Sequence, residues 1–292
     1  MGLFDRLKKL ILAGPGRTCE QLADWLRLDL DTFVNLEPVY NEFTIPKRSG
    51  GTRTIAAPAP ELKKIQKTIL RRLLRPLKCH PHATGFERRH SIVTNAKPHV
   101  GAGVLIRMDI RNFFNATSAK RVRKFFSKLG WNRPAAKLLT KLCTHKKGLP
   151  QGAPTSPRLS NLLNYTLDAR LAGLARVCYK AAYSRYADDI TFSLDNDDHD
   201  TIRSLIRTTK LILKDYGYKI HHNKKLFIRR PHQQQKVTGL VVNQRVALPR
   251  STRRWLRAVR HRHQTGRGAS LNEQQLAGWQ SLQHMIATQA AQ

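Results

Sequence analysis

Apolar residues recur along this chain with two different periods, and the changes of period mark out its elements. Leu62, Ile65, Ile69, Leu73 and Leu77 fall every three or four positions, which predicts an amphipathic helix over Glu61 to Lys78. Its other faces carry Lys63, Lys64, Lys67, Arg71, Arg75 and Lys78, a solvated surface or the border of a nucleic-acid channel. Arg158 to Gly173 repeats the pattern through Leu159, Leu162, Leu163, Leu167 and Leu171. Trp255, Leu256 and Val259 predict a helix whose remaining face is basic, and Asn272 to Ala287 is a further helix whose apolar residues read as core packing. Strand signals interrupt these helices. Val104 to Phe114 opens as a continuous apolar run and reads as a buried strand ending at Asp109. Ser184 to Phe192 reads as the two arms of a hairpin with Asp188 and Asp189 at its bend. Ile45 to Ile55 reads as another hairpin, turning at Ser49-Gly50-Gly51 with cations at both ends.

Composition adds a partner to this outline. The 292 residues hold 53 Lys+Arg against 19 Asp+Glu, a net charge of +34, which attracts a polyanion. Charge alone favours a ribosomal-type structural protein over a membrane-surface binder, but 40% hydrophobic content is enough for one large core or two smaller ones. The amphipathic segment Met1 to Ala13 is too short for a signal peptide or membrane span and reads as a docking helix, so a cytoplasmic location without membrane attachment is expected. Cys19, Cys79, Cys143 and Cys178 show no paired spacing, as free thiols in a reducing compartment would.

Three acids carry the candidate chemistry. An Asp at the end of a buried strand is costly unless a cation or hydrogen bonds compensate it. Asp109 at such a strand end and Asp188 at a hairpin bend can meet at one edge of a sheet, with Asp189 in support. Hard carboxylate oxygens in that arrangement suit two magnesium ions roughly 3.5–4 Å apart, which activate a hydroxyl and neutralise a leaving pyrophosphate. Two other acidic or histidine-bearing stretches invite metal assignments. Asp195 to Asp200 lacks the Gly and distal Glu of a calcium loop and reads as a solvated connection, and the His221-His222 pair is read the same way.

The apolar run ending at Asp109, the segment Gly148-Leu149-Pro150-Gln151-Gly152-Ala153-Pro154-Thr155-Ser156-Pro157, and Tyr186-Ala187-Asp188-Asp189, taken in this order, resemble reverse transcriptases. Asn95-Ala96-Lys97-Pro98-His99 and Val237-Thr238-Gly239 match the Asn-Ala-x-x-His and Val-Thr-Gly elements that mark the retron branch. The resemblance covers about Thr44 to Asn243. It implies an α/β (α+β) right-hand polymerase with an antiparallel palm sheet backed by helices. Residues 1–99 are then N-terminal helices and fingers, 100–117 and 158–244 palm, 118–157 fingers, and 245–292 a small helical thumb. Asp109, Asp188, Asp189 and the carbonyl of Ile110 are the implied metal ligands.

Lys47 and Arg53, with Arg48 a weaker choice, would fold over the triphosphate of an incoming nucleotide. Phe114, five residues after Asp109, would exclude a 2′-hydroxyl, or it is simply a core residue as Phe113 is. Gln151 and Gly152 would lie against nucleotide and template, and Lys224 or its neighbour Lys225 near the pyrophosphate. His221 stands where the family usually has Asn. RNA contacts are expected from Asn95, His99, Val237, Thr238 and Gly239. They are also expected from Arg250, Arg253, Arg254, Trp255, Arg257 and Arg260, in a stretch from Arg245 to Arg267 with eight arginines and no acid.

The implied partners are deoxynucleotides, a cognate structured noncoding RNA, its DNA product, and an effector or toxin protein. The implied product is a branched RNA-DNA primed from a guanosine 2′-hydroxyl, within an antiphage system. A group II intron-like or diversity-generating enzyme, or an RNA-binding scaffold that sequesters a protein, are the alternatives.

Overall fold

The computed structural model describes residues 16–47, 50–221 and 226–291. Helices α1 (Cys19–Leu26) and α2 (Leu30–Asn35) precede the antiparallel hairpin of β1 (Tyr40–Pro46) and β2 (Thr52–Pro58). Helix α3 (Pro60–Ile69) continues as a π-helical turn over Leu70–Leu74, and α4 (Ile92–Ala96) leads to β3 (Val104–Asp109). After these come α5 (Phe113–Ala116), α6 (Ala119–Lys128), α7 (Arg133–Cys143), α8 (Ser156–Leu163) and α9 (Tyr165–Gly173). The remainder is β4 (Ala182–Tyr186), β5 (Asp189–Leu194), α10 (His199–Asp215), β6 (Leu226–Arg229), β7 (Lys236–Val237), β8 (Leu240–Val241), α11 (Arg250–Gln264) and α12 (Glu273–Ala291).

Two units divide the chain, each assembled from three separated stretches. The first takes the residues through Pro81, Ile110–Ala169 and Ile212–Lys219. Its core joins Leu22 and Phe33 to Leu62, Ile69, Phe126 and Leu139. The predicted stripe of α3 is the buried one, with Leu62, Ile65, Ile69 and Leu73 all at most 6% exposed. The helix expected over Arg158 to Gly173 instead starts at Ser156, with Pro157 in its first turn, and divides at Asn164. That side chain is fully buried. It donates to the Tyr218 hydroxyl (3.0 Å) and accepts from the Arg121 guanidinium (2.7 Å), a polar anchor where leucine periodicity alone predicts an unbroken helix.

The second unit takes His82–Asp109, Arg170–Leu211 and the residues from Ile220 onward. A four-stranded antiparallel sheet of order β4-β5-β3-β6 is its frame. Strand β3 is central and buried on both faces, as its near-continuous apolar run requires. Alternation puts Val104, Ile106 and Met108 on one face and Leu105, Arg107 and Asp109 on the other. Leu105 joins a core made with Val93, Ala96, Val237, Leu240, Val242, Leu256 and Ile286. The expected boundaries at 99/100 and 244/245 do not coincide with these units. Residues 82–99 belong with the sheet, and α11 and α12 pack into the same unit. The docking helix expected over Met1 to Ala13 lies outside the described residues. Among the described residues no helix is long and apolar enough to cross a membrane.

Candidate active site

Strands β4 and β5 pair with Tyr186 opposite Asp189, so Ala187 and Asp188 alone form the connecting loop. Two-residue hairpin loops need positive φ in their first residue to match strand twist. Ala187 supplies it at φ 58° without being glycine. Asp188 is half-buried at the tip.

Across the sheet, Asp109 pairs directly with Asp189. Side chains so opposed in an antiparallel ladder lie about 4.5–5.5 Å apart at Cβ, and like charges there repel. The Asp109 side chain is only 11% exposed, which sharpens the cost. One compensation is internal: Arg107, two residues before Asp109 on the same face, places Nε 3.8 Å from Asp189 Oδ1. His221 also lies beside Asp109: its backbone N–H donates to the Asp109 carbonyl (3.0 Å) and its Nε2 is 3.6 Å from Asp109 Oδ1, beyond a hydrogen bond. Facing carboxylates of this kind fit a hard divalent cation.

Among the described residues no group of three or more His, Cys, Asp and Glu forms a metal cluster. Magnesium is commonly held by one or two carboxylates plus substrate phosphates rather than by an all-protein cage, which is what a two-strand pair of acids with a third at the adjoining bend can offer. Ile110, next in the chain to Asp109, is buried. Arg107 is not among the residues expected at the site, although the two-residue period of β3 puts it on the face of Asp109, whereas the approach of His221 to Asp109 has no signal in the sequence.

Those residues expected at a nucleotide that the structure describes are found in the first unit. Phe114 is half-buried at 5.4 Å from Phe113, and Phe113 stacks on Tyr218 at 5.8 Å. The Leu149 amide donates to the Phe114 carbonyl (3.2 Å). Gly152, at φ 130°, approaches β2 so closely that a Cβ there would stand 2.8 Å from the Ala56 carbonyl oxygen. The Ala56 amide in turn donates to Gln151 O (2.8 Å). Lys47 and Arg53 are exposed at the ends of the β1–β2 hairpin. Arg48, Lys224 and Lys225 lie outside the described residues.

Five residues expected to read RNA prove mostly internal. Asn95 is 1% exposed and accepts from the Thr84 hydroxyl (2.6 Å). His99, fully buried, bridges the hydroxyls of Ser193 and Ser184 at 2.8 Å each, on the face of the sheet that carries the acids. Burial, aided by the charge of His82, pushes its pKa down to about 4. Val237 is core, Thr238 donates to the Ile92 carbonyl, and only Gly239 is exposed. The expectation of direct RNA contact is therefore corrected for Asn95, His99 and Val237, whose side chains are enclosed by the unit's own packing.

Arg250, Arg253, Arg254, Arg257 and Arg260 are exposed along α11, while Leu256 and Val259 are buried beneath them. Trp255, 39% exposed, meets Trp279 of α12 edge-on at 5.7 Å. The Asp195 to Asp200 stretch leads into α10: Asp198 accepts from the Thr201 amide (2.7 Å), hydrogen bonding from the Thr201 side chain and then its amide lowers the Asp198 pKa, and Asp197 pairs with Arg230.

Residues 45–244 match the family model described as reverse transcriptase (RNA-dependent DNA polymerase). The retron Ec86 reverse transcriptase of Escherichia coli is 36% identical over 250 residues, covering 83% of this chain and 75% of that protein. The retron Mx65 and Mx162 reverse transcriptases of Myxococcus xanthus are 35% and 34% identical over 87% and 84% of this chain. The chain spans 62% and 57% of their respective lengths. Among solved structures, apo telomerase from Candida tropicalis, truncated from its C-terminal domain, aligns with a TM-score of 0.48 at 12% identity, covering 79% of this chain and 59% of that one. The span of the family match and the likeness to the Ec86 protein establish that this chain belongs to the reverse transcriptases, in their retron branch.

Proposed function

We propose that this chain is an RNA-directed DNA polymerase that copies part of a cognate structured noncoding RNA into DNA. The observation that carries the reading is the pairing of Asp109 with Asp189 beside the Asp188 bend, within the residues matched to the family. In each cycle a hydroxyl oxygen attacks the α-phosphorus of a deoxynucleotide; a P–O bond forms, the bond to pyrophosphate breaks, and the hydroxyl proton passes to solvent. Two magnesium ions, when bound, supply the charge that activates the hydroxyl and stabilises the leaving group. Asp109 and Asp188 hold them with the Ile110 carbonyl, and Asp189, leaning on Arg107, is the supporting acid.

Lys47, Arg53, Gln151, Gly152 and Lys224 bind the incoming nucleotide, and Phe114 rejects a 2′-hydroxyl. The arginines of α11, with Trp255, grip the RNA through phosphate forks and stacking. By likeness to the retron enzymes, priming starts at a guanosine 2′-hydroxyl and leaves a branched RNA-DNA. An antiphage role with an effector protein in the cytoplasm belongs to the same reading.

Nucleic acid extracted from the purified protein tests it. A small DNA joined to RNA through a debranching-sensitive 2′ linkage, absent from Asp188→Asn preparations, is the expected result. DNA with ordinary 3′ linkages alone would overturn priming from the 2′-hydroxyl, and no DNA at all would overturn the polymerase.

A further inference from the structure

The exposed edge of the sheet, β4, is not left bare. Residues 82–85 run alongside it in parallel: the Arg185 amide donates to His82 O (2.8 Å) and the Thr84 amide to Arg185 O (2.9 Å), with Ala83 bridged to Arg185. This short strap ends against the catalytic bend. At Gly85 an added Cβ would stand 2.7 Å from the Ala187 backbone nitrogen and 3.2 Å from the Tyr186 carbonyl carbon. Gly85 is not among the positive-φ glycines, so its own backbone tolerates a side chain. What forbids one is the bend. Phe86, following at φ 66°, sets its ring 6.4 Å from that of Tyr186.

Arg185 acts from the other side. It is fully buried on the sheet face shared with Met108 and Ile190, and its Nη1 donates to the Ala187 carbonyl at 2.9 Å. Ala187 is therefore closely abutted by Gly85 on its nitrogen side and hydrogen-bonded by Arg185 at its oxygen, while lying in the left-handed region that a Cβ disfavours. The strap is itself anchored, because the Thr84 hydroxyl donates to the buried Asn95.

We propose that the strap, through the bare Cα of Gly85 and in concert with the buried guanidinium of Arg185, is a positioning element that fixes the Ala187–Asp188 bend and thereby sets where the Asp188 carboxylate stands. The proposal rests on the polymerase reading only for its kinetic consequence; the placement of the bend stands apart from it. An ångström of misplacement in a catalytic group costs on the order of 100-fold, so a shift of a few tenths is measurable.

Gly85→Ala is the test, with Gly173→Ala as control, since a Cβ at Gly173 meets nothing within 4 Å. Measured where circular dichroism shows both variants folded, Gly85→Ala is expected to lower kcat at least about 10-fold while KM for primer–template changes less than about twofold. Manganese affinity, read by electron paramagnetic resonance without substrate, falls at least about threefold. Amide exchange across 186–189, read without metal, rises in Gly85→Ala and not in Gly173→Ala. If Gly85→Ala does not fold, Arg185→Lys, which shortens the reach to Ala187 O while keeping the charge, is expected to show the same three changes. Unchanged exchange together with wild-type kcat and manganese affinity would overturn the proposal. A wild type that makes no DNA would instead overturn the proposed function, and exchange would then decide the role of the strap.

Discussion

Thr238 donates its hydroxyl to the carbonyl of Ile92 at 2.9 Å, across 146 positions of sequence. The bond ties the Val237-Thr238-Gly239 element to Ile92, three residues before the Asn95-to-His99 element, and the packing around it is shared: Val237 and Leu240 lie in one core with Val93 and Ala96. Thr238→Val should cost about 1 kcal/mol, the net worth of one hydrogen bond, read as a lower urea midpoint with unchanged slope. The RNA affinity of the folded protein should stay as it was. A large loss of affinity without loss of stability would make Thr238 an RNA contact after all.

The Asp109–Asp189 pair predicts opposed effects on activity and stability. Asp109→Asn should reduce DNA synthesis on the order of 1,000-fold while raising the Tm measured in chelator, because a repulsion worth up to about 1 kcal/mol is removed. Magnesium should raise the Tm of the wild type and leave that of the variant still. A variant destabilised in chelator would show that the two carboxylates do not strain the fold.

His99 makes stability depend on pH in a known direction. Its folded pKa, about 4, lies below the ordinary value of 6.5, so the unfolded chain binds the extra proton. The contribution is whole above pH 6.5 and is lost as pH falls from there toward 4, up to about 3 kcal/mol in all. His99→Gln should flatten that part of the curve in denaturant titrations at pH 7, 6 and 5. An equally steep variant would place the titration elsewhere.

How much of this was legible follows from what each residue answers to. The α3 stripe, the β4–β5 hairpin around Asp188 and the basic face of α11 are set by local period, and the structure keeps them. Asn164 divides a leucine-patterned helix because Arg121 and Tyr218, distant in sequence, fix its amide, a choice that periodicity does not encode. Asn95 and His99 are polar residues in short motifs and suggested surface chemistry. Burial turns them inward, and only the serines and threonine that satisfy them reveal it. Gly85 carried no signal, since its need is for space against a bend about a hundred residues away.

Phe114→Ala should relax selection against ribonucleotides by at least about 10-fold with little change in kcat/KM for deoxynucleotides. Single-nucleotide incorporation with paired substrates checks it. Undiminished discrimination would return Phe114 to the core beside Phe113.

The α11 arginines should govern salt dependence. Arg253→Ala, Arg257→Ala and Arg260→Ala combined are expected to lower the slope of log affinity against log salt by about 2, near 0.7 for each phosphate contact to single-stranded RNA. Equal slopes would move the RNA to another face.

Ser91, at the start of α4, shares a hydrogen bond with Gln289 of α12, a partner 198 positions away. Ile286 of the same helix lies in the core with Val93. While a ribosome is still making the chain, the part of the 91–96 segment that Ile286 and Gln289 cover therefore waits for nearly the whole of α12 to emerge. Completion of the catalytic unit is therefore a late event, with a window for self-association that chaperones would narrow.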